Sequence, residues 1–274
     1  MERDLSFSVL MSVYHKEQAD YFDLALDSIE KQTLEPAEIV VVKDGPLTTD
    51  LEAVLSRHIE MSGIPYRVVA LAKNKGLADA LNAGLEVCRY EWIARMDSDD
   101  IAFPDRFEEQ IAYIKEHPEV DVLGGWFAEF DNDPKQITSW RKVPTSHGEI
   151  VRYIRWRCPF NHGSVIYKKS KVFEAGGYVP GAMEDYSLWL RMAAKDTSFA
   201  NLNRPLVYFR AGEWMYERRR GWRYAKDEWS LACEAYRYNA WPLHRACINA
   251  AVRSSIRLFP AGLIKKVYNL LRKF

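Results

Sequence analysis

Three carboxylates, Asp97, Asp99 and Asp100, crowd the end of the apolar run Trp92-Ile93-Ala94-Arg95-Met96. Like charges a few ångströms apart repel, so either one carboxyl keeps its proton or a cation sits between them. A hard divalent ion, Mg²⁺ or Mn²⁺, could take such oxygens and leave coordination positions open for phosphate. A solvated Asp-rich turn that caps a helix would use the same residues, and the turn alone does not separate the two readings.

A second acidic pair, Glu184 and Asp185, precedes a helical pattern in which Leu188, Trp189 and Met192 bury. Acidic residues favour a helix N-terminus for electrostatic reasons alone. In the chemical reading one of them is a general base for an attacking hydroxyl, relying on position because a helix N-terminus depresses a carboxylate pKa. His162, in Asn161-His162-Gly163-Ser164, could bond a phosphate or an acceptor sugar, or be a satisfied structural histidine. Arg218 and Arg219 lie in Tyr216-Glu217-Arg218-Arg219-Arg220-Gly221, which reads as a mobile diphosphate clamp, an anionic-lipid contact or a solvated charge run.

The elements that position these residues alternate in the way a parallel sheet requires. Phe7–Val13, Glu38–Lys43, Tyr66–Leu71 and Trp92–Met96 read as strands. Tyr21–Lys31, Leu51–Ile59 and Leu77–Cys88 read as the helices between them, and Pro104 opens the next. The pattern predicts an α/β fold with an open, doubly wound, mostly parallel sheet, which binds ligands beyond the carboxyl ends of its strands. Tyr14, Asp44, Asn74 and the Asp97–Asp100 turn all fall at those ends. As a nucleotide site, Tyr14 would stack on a base and Asp44 would accept a hydrogen bond from a uracil-type N–H. Asn74 would reach base or ribose, and the acidic turn would hold ribose and a metal-bound diphosphate. Neither a GxGxxG turn nor a GxxxxGKS loop is present. Residues 131–183 read as irregular, broken by Pro and Gly.

At 274 residues and 48% hydrophobic the chain has ample material for a core, which excludes disorder as a default. Its four cysteines lack metal spacing and read as reduced, cytosolic thiols. Its charged start and short first apolar run do not read as a signal peptide, and no apolar stretch is long enough to span a bilayer. The neutral total hides a split: beyond Glu234 there is no acid, and eight Lys and Arg remain.

With these residues collected, the chain resembles a family 2 glycosyltransferase of the GT-A fold over about residues 7–210. The resemblance rests on Ser8–Tyr14, Val41-Val42-Lys43-Asp44-Gly45, and Asn74-Lys75-Gly76-Leu77 through Asn82-Ala83-Gly84. It continues through Asp97-Ser98-Asp99-Asp100 with Pro104, and Glu184-Asp185-Tyr186 with Trp189 and Arg191. Asn161-His162 and the Arg-rich run are similar to bacterial enzymes that build O-antigen, capsule or exopolysaccharide repeat units. The resemblance implies a nucleotide-sugar donor bound by Tyr14, Asp44 and Asn74, a DxD pair at Asp97 and Asp99, and Mn²⁺ or Mg²⁺ on Asp99 or Asp100. It implies Asp185 as the base, with Glu184 its neighbour, in an inverting displacement. Lys43 stands where the family is usually acidic and His15 where it usually has Asn, both bearing on donor choice. The QxxRW signature of processive synthases is absent, so one sugar is transferred rather than many.

These readings divide the chain into a catalytic domain at 1–212 and a basic helical region at 213–274. Within the domain the nucleotide-sugar half is about 1–100 and the acceptor half about 101–212. In Gly262–Phe274, apolar and basic residues separate onto two helical faces, and Ile248, Val252, Ile256 and Phe259 repeat the pattern opposite Arg253 and Arg257. That is the pattern of interfacial helices on an anionic membrane, against the alternative of a helical cap packed on the domain. It places the protein peripherally on the cytoplasmic face of the inner membrane, with a polyprenyl-diphosphate-linked saccharide as acceptor and no nucleic-acid partner. The competing readings are a phosphotransferase using the Asp97–Asp99 turn and a non-catalytic subunit that binds nucleotide-sugar for a partner transferase.

Overall fold

The computed structural model describes residues 5–181, 183–212 and 221–259. Its first half follows the alternation: β1 (Phe7–Val13), α1 (Ala19–Glu30), β2 (Glu38–Lys43), α2 (Thr49–Met61), β3 (Tyr66–Ala70), α3 (Leu77–Val87) and β4 (Trp92–Asp97). Next come β5 (Ile101–Ala102), α4 (Arg106–Glu116), β6 (Val122–Phe130), β7 (Ile137–Arg141) and α5 (His147–Tyr153). A 3-10 turn at His162–Ser164 leads into β8 (Ile166–Lys168), α6 (Lys169–Glu174), α7 (Glu184–Ala193) and β9 (Phe199–Arg210). Two further helices are α8 (Trp222–Arg237) and α9 (Leu243–Arg257).

Among the described residues the strands form one sheet in the order β3-β2-β1-β4-β8-β6-β9-β5, with β7 paired to β6. β8 runs antiparallel to both β4 and β6. Hence β1 to β4, β6 and β9 point the same way and end at one edge. The apolar runs bury on both faces, as parallel strands covered by helices must. Leu10, Val40, Val42 and Ile93 face a core shared with α3, α5, α6 and α7. Their neighbours Val9, Met11, Val41, Ala94 and Met96 face a second core under α1, α2 and α4. This is the expected doubly wound arrangement.

Three local expectations change. Pro104 does not open α4: its carbonyl accepts from Thr33, and the helix starts at Arg106 behind Asp105. Residues 131–183, expected to be irregular, contain β7, α5, β8 and α6. Arg253 and Arg257, expected on an outward polar face, instead point inward onto the fully buried Glu228 carboxylate. Burying Glu228 without those partners would cost several kcal/mol, so the ion pairs set the rotation of α9. Ile248 and Val252 are therefore left 59% and 54% exposed. α8 and α9 also bury Leu231, Ala235, Ala246 and Ala250 in the core beside α7. No helix among the described residues is long and apolar enough to cross a membrane. Arg218, Arg219 and the basic segment 260–274 lie outside the described residues.

Candidate active site

Tyr14, Asp44, Asn74 and the acidic turn sit where β1, β2, β3 and β4 end, along a single edge of the sheet. Asp44 and Asn74 form one unit. The Asp44 carboxylate accepts from the backbone N–H groups of Lys75 at 2.7 Å and Gly76 at 3.0 Å, at the start of α3. The Asn74 amide donates to the Asp44 carbonyl at 3.3 Å. Gly45 allows this close approach: its φ is +87°, and a Cβ there would lie 2.6 Å from the Asn74 nitrogen. Each Asp44 oxygen keeps acceptor capacity after these bonds. Tyr14 is half-buried, its ring edge-on to His15 at 5.8 Å.

The three aspartates have separate surroundings. Asp97 is ion-paired with Arg95, which is almost wholly buried under the turn. Asp99 is half-buried, and its carboxyl is pushed up to about 7, first by burial and then by the charges of Asp97 and Glu17. Asp100 is fully buried; one oxygen accepts from the Arg210 backbone N–H at 3.0 Å and ties the turn to the end of β9. Its other oxygen has no partner among the described residues, and burial with the Asp99 and Asp97 charges drives its pKa well upward. Arg210 reinforces the join by donating to the Asp99 carbonyl at 3.2 Å and lying over the Tyr21 ring at 3.6 Å. A divalent cation would relieve the crowding of Asp97, Asp99 and Glu17, and hard carboxylate oxygens suit Mg²⁺ or Mn²⁺. Of the two residues expected to ligate it, Asp99 is the more accessible.

A second group of possible ligands, Asp27, Glu30 and His58, lies at the opposite edge, where Glu30 accepts from Tyr66 at the start of β3. The His58 ring already bonds Glu30 at 2.9 Å and Asp23 at 2.7 Å.

α7 brings the second acidic pair to the first. The Glu184 carboxyl is pushed up to about 7 by burial and by Asp185, and it also feels the charges of Arg95 and Asp97. Asp185 accepts from the Tyr186 backbone N–H at 2.8 Å with one oxygen; its other oxygen, at 3.5 Å, shares the Cys158 thiol proton with the Phe160 carbonyl at 3.4 Å. Burial and the Asp185 charge raise the Cys158 pKa, so the thiol keeps its proton and acts as a donor. His162 faces the same region, its Nε2 bonded to the Tyr178 hydroxyl at 2.9 Å. Burial, with Arg95 nearby, drives its pKa well down, so it contributes a neutral ring rather than a charge. Beside it Gly163 lets backbone pass close to Asp97, since a Cβ there would lie 2.9 Å from an Asp97 carboxylate oxygen.

Sequence reasoning missed Arg95, Cys158, Tyr178 and the fully buried Arg106. Arg106 donates to the Arg95 carbonyl at 2.8 Å and holds β4 against the 3-10 turn. For Arg95 a signal existed, a cation inside an otherwise apolar strand. For Cys158 there was none, because its partner lies 27 residues away.

The model of glycosyl transferase family 2 matches residues 8–177. An uncharacterized glycosyltransferase of Haemophilus influenzae is 44% identical, covering 98% of this chain and all of its own. The amylovoran biosynthesis glycosyltransferase AmsE of Erwinia amylovora is 41% identical, over 97% of this chain and 99% of that one. The UDP-Gal:alpha-D-GlcNAc-diphosphoundecaprenol beta-1,3-galactosyltransferase of Escherichia coli is 34% identical, over 98% and 97%. Among solved structures, the Pyrobaculum calidifontis mannosyltransferase PcManGT, in complex with GDP-Man and Mn²⁺, matches with a TM-score of 0.64. It is 16% identical and covers 98% of this chain and 80% of that one. S. aureus TarS 1-349, in complex with UDP-GlcNAc, also scores 0.64, at 20% identity over 88% of this chain and 69% of that one. These likenesses carry the GT-A fold, and the family match and full-length relatives carry the activity class: the chain is a glycosyltransferase of family 2.

Proposed function

We propose that the protein transfers one sugar from a UDP-sugar to a saccharide carried on a polyprenyl diphosphate, with inversion, at the cytoplasmic membrane face. The observation that carries this reading is the meeting of two acidic groups, Asp97–Asp99 at the end of β4 and Glu184–Asp185 at the start of α7, with the buried Arg95 paired to Asp97 and its charge felt by Glu184. The E. coli relative, by name, takes UDP-Gal and a diphosphoundecaprenol acceptor, which supports both substrate classes.

In this reading Tyr14, Asp44 and Asn74 receive the nucleoside. Asp99, together with Asp97, would hold a divalent ion, which when bound offsets charge developing on the leaving nucleoside diphosphate. Asp185 takes the proton from the acceptor hydroxyl, its carboxylate oriented by the Cys158 thiol and the Tyr186 N–H. The Arg95 guanidinium pairs with the Asp97 carboxylate beside Asp99. His162, being neutral, donates or accepts a hydrogen bond without adding charge to the diphosphate site. Arg218 and Arg219 would supply cations for the diphosphate.

The outward apolar face of α9, with Trp222 and Trp229 exposed on α8, supports membrane association of the C-terminal region.

The test is thermal melting with UDP, GDP, dTDP or CMP, each with Mn²⁺ and with EDTA. A nucleotide at a hundredfold excess over its Kd adds about 2.7 kcal/mol, which a melting curve resolves. A shift with UDP that EDTA abolishes is the expected result. A larger shift with another nucleotide would overturn the UDP assignment, and equal shifts in EDTA would overturn metal dependence.

A further inference from the structure

Between α5 and the β6–β7 ladder lies an open cleft of about 580 Å³, within the size range of small-ligand sites. Trp126, Tyr153 and Trp156 line it together with Lys142, Arg152 and Glu149. Trp156 is 56% exposed, a large flat apolar surface left in water. Among the described residues, no carboxylate comes within 4.0 Å of the Lys142 or Arg152 cationic groups. Lys142 Nζ lies 4.6 Å from the Trp126 ring centre, and Arg245 lies 4.2 Å from that of Trp156. Glu149 accepts from the Ser146 hydroxyl at 2.8 Å and its backbone N–H at 3.2 Å, and it feels the Arg152 charge without an ion pair to it.

The sheet register relates this cleft to the reacting groups. Ala94 and Leu123 both pair with Ile166, so they are level, and the Asp97 turn and Trp126 lie beyond them toward the same edge of the sheet. Two strand spacings, about 10 Å, separate Ala94 from Leu123. On the other side, Trp156 lies two residues before Cys158, whose thiol is 3.5 Å from Asp185. The wall is rigid: the Asn161 amide bonds the Gly125 carbonyl at 2.8 Å and the Arg141 carbonyl at 3.1 Å, beside Trp126 and Lys142.

We propose that this cleft seats the saccharide-diphosphate end of the acceptor. This rests on the transferase reading above. The C–H face of a pyranose is apolar and lies flat on an indole, which suits Trp156 at the cleft mouth. A diphosphate needs cations not already neutralised, which Lys142 and Arg152 supply, Arg152 through a two-pronged guanidinium. The two chemistries stand side by side here, next to the carboxylate that would deprotonate the sugar hydroxyl.

Isothermal calorimetry of the full chain with farnesyl-diphosphate-linked N-acetylglucosamine tests the assignment. Trp156→Ala and the double variant Lys142→Glu/Arg152→Glu each weaken binding about tenfold or more, while Trp156→Phe stays within about threefold. Farnesyl diphosphate without the sugar keeps the dependence on Lys142 and Arg152 and loses that on Trp156. These side chains are exposed, so the variants fold, and an unaltered UDP melting shift verifies the donor side. A wild type that does not bind the probe, variants that bind it like wild type, or the opposite ligand dependence overturns the assignment. Normal transfer by such variants would leave the transferase reading standing. Binding that depends on the cleft, without transfer from any nucleotide-sugar, supports the cleft and overturns the transferase reading instead.

Discussion

Asp99 and Glu184 owe their raised pKa values to the same cause, burial beside another carboxylate. Both rise to about 7, from ordinary values of 3.8 and 4.5. The folded state therefore holds these protons more tightly than the unfolded chain does. Each contributes stability that is full below its unfolded pKa and lost as pH rises through about 7. Metal-free protein should melt at a lower temperature near pH 8 than near pH 6, and Glu184→Gln should flatten that slope; an unchanged slope would mean that Glu184 does not take part. Asp185→Asn keeps its hydrogen bond from Tyr186 but cannot take a proton. We expect sugar transfer to fall about 10²- to 10⁴-fold with the UDP melting shift retained. Transfer at the wild-type rate would overturn Asp185 as the base. The acid spacing was legible in sequence, but the surroundings were not. Which aspartate is buried, paired or accessible depends on Arg95 of the same strand and on Arg210 and Glu17, which fold in from two other places.

At the level of elements, the start of α3 is built by another strand's end. Asp44 bonds the first turn of α3 from the tip of β2, and Gly45 makes room for Asn74. Gly45→Ala would impose a left-handed φ on a residue with a Cβ and drive that Cβ into backbone. We expect a loss of about 1–3 kcal/mol in urea unfolding, with weakened nucleotide binding. Wild-type stability and affinity would mean that this junction is not what forms the nucleoside end of the site. The elements of the first half were legible because continuous apolar runs, spaced by helical patterns, need no distant information. Those of the second half were not, because β8 is three residues long and takes its direction from two neighbours rather than from its own sequence.

For the whole molecule, the direction in which α9 faces decides which of its sides is left exposed. Its arginines neutralise Glu228 inside, and its aliphatic side faces out. Ile248→Glu with Val252→Glu should abolish co-flotation with vesicles containing anionic phospholipid, with UDP binding intact. Flotation at the wild-type level would overturn membrane association through this face. Substitution is a cleaner probe than truncation after residue 244, which would strand the Glu228 charge in the core and expose the surface covered by Ala246 and Ala250.

Local information by itself determined an α/β chain with acidic groups at strand ends: periodicity, turn residues and the spacing of carboxylates act over a few residues. It also carried the family, because the motifs occur in order along the chain. Only the tertiary structure decided that the Asp97 turn meets Glu184, that Cys158 orients Asp185, and that Arg253 and Arg257 turn inward. Each of those depends on a charge or a cavity supplied from far along the chain, and the energy of burying a carboxylate is set by what surrounds it.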